Sequence, residues 1–338
     1  MGKPIALVLH PRDWAVSDYG KTSALDIRHV SIGGKVPKKR RGVPTFDGYA
    51  DMATMEGMTA CREAVANLKP RIFFYWMHGD FTPSFLLQLK RINPQMKFVH
   101  WFGNHRHKVV GNVTRYKRTL DMLFLNSEDQ RQISMYKRLV PKVYTLWDGF
   151  APNEAPLKEV EPEYDCFFGG NSYLGAVVGN KKLDFPGGKI RYDFICEVNK
   201  RFKALVTTGY PRFWPFKTEP EVFHPHYTQC MRRAKITLNV NHFPTLKRAY
   251  TRRTIRSIFA RRCHITLYIP GMERDFENHK HLVWFRDVDE GLDMIRYYLD
   301  HDEKREEIAW EGWKLAMKKF TFRERLRDFE KYVSVFLR

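Results

Sequence analysis

Short apolar runs alternate with helix-length amphipathic segments along almost the whole of this chain, and that rhythm leaves few ways to fold. A strand followed by a helix returns to the same sheet as a parallel neighbour, so repeated units give parallel sheets covered by helices. In the first half, residues 4–9, 71–76, 97–101, 121–125 and 142–146 read as strands, with helical stretches at 50–67, 82–92 and 127–138. Asn67-Leu68-Lys69-Pro70 supplies a helix stop. Residues 147–163 then break the rhythm with Pro152, Pro156, Pro162 and a glutamate cluster. It restarts with strands at 164–168, 204–208, 236–241, 263–268 and 282–285. Helices are expected near 191–202, 219–234, 252–262, 290–299 and 302–319. The expectation is two doubly wound α/β domains, 1–150 and 164–319, joined by a linker over 151–163, with an aromatic-rich tail over 320–338.

Open parallel sheets bind ligands at the carboxyl ends of their strands. The segment 253–266 follows such an end, and Arg252 and Arg253 stand at the mouth of its helix. A helix N-terminus with guanidinium groups beside it favours phosphate oxygens, so a nucleotide-type ligand is expected there. Five scattered cysteines with no C-x-x-C pair argue against a disulfide framework or a structural zinc. The apolar run at the N-terminus is too short for a signal peptide, and no stretch approaches a membrane span. A cytoplasmic protein is expected, with no obligate protein partner evident.

The charge points outward. Fifty-eight Lys and Arg against 38 Asp and Glu leave a formal +20, more than an enzyme of small metabolites requires. Such an excess favours a polyanionic partner, nucleic acid above a membrane surface, with a generally basic proteome as the bland alternative.

Taken in order, several segments resemble the group-1 glycosyltransferases, and most closely their CgeB-like (spore-maturation-protein-like) branch, over roughly residues 71–327. Phe168-Gly169-Gly170-Asn171 matches the strand end that opens the second domain, Arg191 the arginine of the first helix, and Gly209 a strand-ending glycine. Ala234-Lys235-Ile236-Thr237-Leu238-Asn239 matches the family's s-K-I-x-L-N. Residues 253–261 align with R-x-F-E-x-L-A-x-G. A closing block runs from Phe285 through Arg323, including Asp287, Glu290, Tyr297, Tyr298, Leu299, Ile308, Ala309, Gly312 and Thr321.

The resemblance implies a GT-B fold: two Rossmann-like domains facing across a cleft, the donor held by the second, and a C-terminal helix crossing back to the first. It implies a nucleotide-sugar co-substrate, a UDP-sugar first, and otherwise no required cofactor. No Asp-x-Asp sits in a convincing loop, which suits a metal-independent transfer, though the need for a metal ion stays open. Donor-binding candidates are Gly169, Gly170, Asn171, Arg191, Lys235, Arg253, Arg256 and Glu290. For Glu290, the helix dipole alone would explain a carboxylate. The chain departs from the family in carrying Arg256 for a glutamate and Arg261 for a glycine.

For the general base of an inverting transfer, Asp80 is the first choice and His78 the second, both after the strand at 71–76. The run 35–41, with Lys35, Lys38, Lys39, Arg40 and Arg41, and the stretch holding Arg106 are candidates for gripping an acceptor's phosphates. DNA is the expected acceptor, through a hydroxylated base such as a hydroxymethylpyrimidine of viral DNA, flipped from the stack. The competing readings are a polysaccharide, protein or small-molecule acceptor, or a transferase fold kept only to bind polyanions.

Overall fold

The computed structural model describes residues 3–9, 25–30, 39–40, 43–44, 55–75, 83–103, 119–152, 160–175, 177–178, 181–182, 185–222 and 226–337. The chain divides into two compact units, Met1–Ala151 with Phe322–Arg338, and Pro152–Thr321.

The first unit holds β1 (Ile5–Leu9), β2 (Asp26–Val30), α1 (Met55–Leu68), β3 (Ile72–Tyr75), α2 (Pro83–Ile92), β4 (Lys97–Phe102), β5 (Met122–Leu125), α3 (Gln130–Lys137) and β6 (Lys142–Thr145). The six strands form one sheet in the order β2-β1-β3-β4-β5-β6, all parallel. Strands β3 and β5, Ile-Phe-Phe-Tyr and Met-Leu-Phe-Leu, are buried at every position, as a parallel strand covered on both faces must be. Strand β2 was not anticipated. It is an edge strand, Asp-Ile-Arg-His-Val, whose polar residues give no apolar run to recognise.

One face of this sheet packs on Cys61 and Val65 of α1, Phe85, Leu86 and Leu89 of α2, and Ile133 and Tyr136 of α3. The other face is closed by the last helix of the chain, α9 (Phe322–Val333), through Phe322, Leu326, Phe329 and Val333. Phe329 stacks on Phe74 at 4.3 Å and Tyr332 on Tyr144 at 4.6 Å. Burying four such side chains supplies roughly 1.5–3 kcal/mol each before entropy is counted, so the tail belongs to the core of the unit that the chain builds first.

The second unit contains β7 (Tyr164–Gly169), α4 (Gly188–Arg201), β8 (Ala204–Thr208), β9 (Glu219–Pro220), α5 (His226–Arg232), β10 (Ala234–Asn239), α6 (Arg252–Phe259), β11 (Cys263–Leu267), β12 (Val283–Phe285), α7 (Val288–Asp300) and α8 (Asp302–Lys319). Its parallel sheet runs β9-β8-β7-β10-β11-β12. The chain steps outward from β7 through β8 to β9, then returns to lay β10 on the other side of β7. Strand order therefore reverses between β7 and β10, and such a switch point leaves a crevice at the carboxyl ends.

The helix expected over 219–234 is corrected to the two-residue strand β9 and the short helix α5. Pro220 lacks an N–H, and it sits where a proline costs least, on an edge strand. Among the described residues, no helix is long and apolar enough to cross a membrane. The five cysteines are free thiols.

Candidate functional site

Successive side chains of a strand face opposite sides of its sheet, and in the second unit the two sides differ in chemistry. Ile236, Leu238, Ile265 and Leu267 join Cys166, Phe168, Phe194 and Ile295 in an apolar cluster. The alternate residues Thr237, Asn239, His264 and Thr266 are polar and fully buried. The apolar cluster on that side is small, formed by Phe167, Leu205, Met231, Ala234 and Ala260. Asn239 ties the polar set together. Its Nδ2 donates to Thr254 Oγ1 at 3.3 Å and Thr266 Oγ1 at 3.4 Å, and its Oδ1 accepts from Arg253 Nε at 3.1 Å.

Arg253 thus leaves the first turn of α6 with one nitrogen anchored. Its Nη1 lies 3.2 Å from where a Cβ on Gly170 would stand. Two neighbouring glycines make room in the same way. The ring of Tyr227 occupies the space beside Gly169, and Glu221 Oε2 lies 2.5 Å from the Cβ position of Gly209. The glycines that end β7 and β8 therefore admit a phenol, a guanidinium and a carboxylate to one place. What fills their space is side chains.

Asn171 fastens the strand ends to each other. Its Oδ1 accepts from Thr208 Oγ1 at 2.7 Å and Gly209 N at 3.0 Å, and its Nδ2 donates to the Tyr173 hydroxyl at 2.8 Å. Arg191 is buried completely. Its Nε donates to Val240 O at 2.8 Å, Nη1 to Asn171 O at 2.8 Å and to His242 Nε2 at 2.6 Å, and Nη2 also reaches Val240 O. Arg191 therefore clamps the ends of β7 and β10 together through their backbone carbonyls. Burial, and next the charge of Arg253, push its pKa well down.

The helix start beside Arg253 has little capping of its own. The N-cap is Thr251, whose side chain makes no capping bond, and its hydroxyl is buried with no hydrogen bond among the described residues. The loop into α6 is pinned elsewhere, by Arg248 to Asp275 at 2.7 and 2.6 Å and by Tyr250 to the same carboxylate at 2.6 Å. Arg256, one turn along, lies below the surface at 6 % exposed. Burial pushes the Tyr227 hydroxyl up to about 12, with Arg253, Arg256 and Arg191 pulling it down. Burial also raises the Glu221 carboxyl, against the pull of Arg253. The charges of Arg253, Arg256 and Arg191 all reach the Tyr227 hydroxyl, and that of Arg253 reaches Glu221 as well.

Lys235 and Glu290 each have a local place in the fold. Lys235 is the second residue of β10, four residues before Asn239 and so about 13 Å back towards the amino end of the strand. Its charge acts on Asp302. Glu290 caps α7: its Oε2 accepts from Arg286 N at 2.6 Å while Glu290 N donates to Asp287 Oδ1 at 2.9 Å, a reciprocal cap. Asp80, His78, Lys35, Lys38, Arg41 and Arg106 lie outside the described residues. Of Lys39 and Arg40 only the backbone is described, as a strand paired with Val43–Pro44. Among the described residues, no three His, Cys, Asp or Glu stand together as a metal site.

Tyr227, Glu221, His242 and Tyr173 were not singled out beforehand. Glu221 and Tyr227 fell inside the misread helix, and no spacing links either to Arg253. Asn239 stood in a quoted motif, and its position at a strand end was the available signal.

Residues 189–331, less than half of the chain, match a family model described as glycosyl transferase-like. Among curated proteins, no sequence matches. The fold is similar to that of a glycosyltransferase from Rickettsia africae, with a TM-score of 0.60, 12% identity and 100% of both chains covered. It is similar to Anabaena HepE in complex with UDP-glucose, with a TM-score of 0.56, 9% identity, and 98% of this chain and 99% of that one covered. Sucrose-phosphate synthase from Thermosynechococcus elongatus gives a TM-score of 0.56 at 8% identity, with 99% of each chain covered. The fold is GT-B, and its second unit, with most of α9, carries the glycosyl transferase-like segment.

Proposed function

We propose that this protein is a glycosyltransferase that holds the diphosphate of a nucleotide sugar, a UDP-sugar first, at the carboxyl ends of β7, β8 and β10. Arg253 carries the reading. Its Nε is fixed to Asn239, and its terminal nitrogens lie over Gly170 with no hydrogen bond among the described residues. Transfer breaks the bond between the anomeric carbon and a phosphate oxygen, and the negative charge that develops there is stabilised by a fixed guanidinium. The UDP-glucose complex of the structurally similar HepE supports a uridine nucleotide as the first donor to try. The expected result is release of UDP from a UDP-sugar, falling about a hundredfold or more in Arg253→Met. Undiminished release in that variant would overturn the assignment.

The acceptor we propose is a hydroxymethylated pyrimidine in DNA, modified in the cytoplasm (of the host, for a viral protein), as in a phage relative of the CgeB-like branch. What supports it is the formal charge of +20 and the basic run 35–41. Asp80, with His78 second, is the proposed base. Incubation with labelled nucleotide sugars and with plain or hydroxymethylated DNA tests it. Label released by nuclease from hydroxymethylated DNA alone is the expected outcome. Transfer to free sugars or polysaccharide with no loss at high salt would remove DNA as acceptor.

A further inference from the structure

Hydroxyl groups of a bound sugar donate hydrogen bonds, and guanidinium groups cannot accept them. The acceptors around Arg253 are therefore the ones to count. Asn171 Oδ1 already receives Thr208 and Gly209, and Asn239 Oδ1 receives Arg253. Gly169 O takes the Tyr227 hydroxyl at 3.2 Å, while Asn171 O and Val240 O take Arg191. Each of these acceptors is engaged inside the protein. Glu221 differs: it is half-buried, it stands over Gly209, and its carboxylate makes no hydrogen bond or ion pair among the described residues.

We propose that Glu221 is the hydroxyl-recognition residue of this site, its carboxylate accepting from a vicinal diol of the nucleotide sugar while Arg253 holds the diphosphate. The inference rests on the nucleotide-sugar reading above. Geometry favours the pairing, because the Gly209 position brings the carboxylate to the strand ends where Arg253 also arrives. A diol engages both carboxylate oxygens, and a charged acceptor makes the stronger bond. An isolated carboxylate beside a diphosphate would only repel it, so its presence calls for a donor group between the two. Burial acts in the same direction, because an acceptor partly withdrawn from water gains more from each hydroxyl it meets.

Calorimetric titration of the full chain with UDP, 2′,3′-dideoxyuridine diphosphate and UDP-glucose provides the test. Glu221→Gln should weaken UDP-glucose by about tenfold or more with thermal unfolding unchanged. Gly209→Ala should do the same with the carboxylate intact, since the added methyl displaces it. If UDP weakens equally while the dideoxy compound is indifferent to the substitution, the diol is the ribose's. If only UDP-glucose weakens, the diol is the hexose's. Unchanged or tighter UDP-glucose binding in Glu221→Gln overturns this assignment and leaves the donor site standing. No binding of either natural ligand by the parent protein removes both.

Discussion

The two sheets have the same strand count and the same parallel arrangement, yet they spend their buried surface differently. The first unit's sheet is apolar on both faces apart from His100, with α1, α2 and α3 on one side and α9 on the other. The second is apolar across one face and holds only a small apolar cluster on the other. On its other face Thr237, Asn239, His264 and Thr266 are buried polar groups bonded to one another or to α6. Buried polar networks add little net stability and cost much when broken. What this one does is fix Arg253, through Asn239, at a strand end. One sheet is built for cohesion, the other gives up part of its cohesion to position a side chain.

The largest effect that would test this contrast is in the first unit. Phe329→Ala removes the ring stacked on Phe74 and should cost about 3–5 kcal/mol. Segment-resolved hydrogen exchange should show β1, β3 and β5 losing protection. Equal loss confined to 164–285 would show that α9 is not part of the first unit's core.

Acid should probe both sheets next. Burial holds His264 down to about 3, with Arg253 adding to the effect and a bond to Thr237 opposing it. His100 is held to about 4 by burial, against its bond to Tyr75 O. Histidine in the unfolded chain takes its proton near about 6.5. Below that pH the unfolded state binds more protons, so stability rises with pH between about 4 and 6.5 and is lost as pH falls through that window. The slope should approach about 1.4 kcal/mol per pH unit for each histidine, or about 2 kcal/mol each by pH 5. Denaturant midpoints across pH 4.5–7.5 would measure it, and His100→Phe should remove one share of the slope.

A third substitution separates positioning from cohesion. Asn239→Leu keeps the volume and removes the anchor of Arg253, so UDP should bind about tenfold more weakly, about 1.4 kcal/mol. Binding unchanged by calorimetry would mean that the polar face serves stability alone. The smallest effect belongs to Arg261. This residue adopts a φ of 56°, the left-handed conformation that favours glycine, and its guanidinium lies 4.9 Å over the Trp310 ring. Relief of strain in Arg261→Gly outweighs the lost ring contact, and thermal unfolding should rise by the equivalent of about 0.5 kcal/mol.

Much of the architecture was legible because strands buried on both faces are bound to be apolar runs. Residues 72–75 and 122–125 could be recognised on that ground. Strands β2 and β9 were not, because edge strands need bury little, and Glu219–Pro220 pairs through only two residues. At the site, Arg253 was readable from the helix start that follows a strand end. Arg191 was readable as a residue but not in its direction: only the fold turns its guanidinium onto Val240 and Asn171. Lys235 and Glu290 sat in recognisable segments, and both are accounted for locally, one by the wrong end of a strand and the other by a helix cap.

The sequence by itself determined what is written in periodicity and composition: alternating strand and helix, two sheets, an anion-seeking helix start, and a basic surface charge. Tertiary structure alone decided which side chains meet. Glu221, Tyr227 and Arg253 come from three segments and converge because Gly209, Gly169 and Gly170 leave the space that each one enters. Periodicity reports which way a residue faces within its own element, whereas meeting across elements depends on strand order and on where backbone lacks a side chain, and no local pattern encodes either.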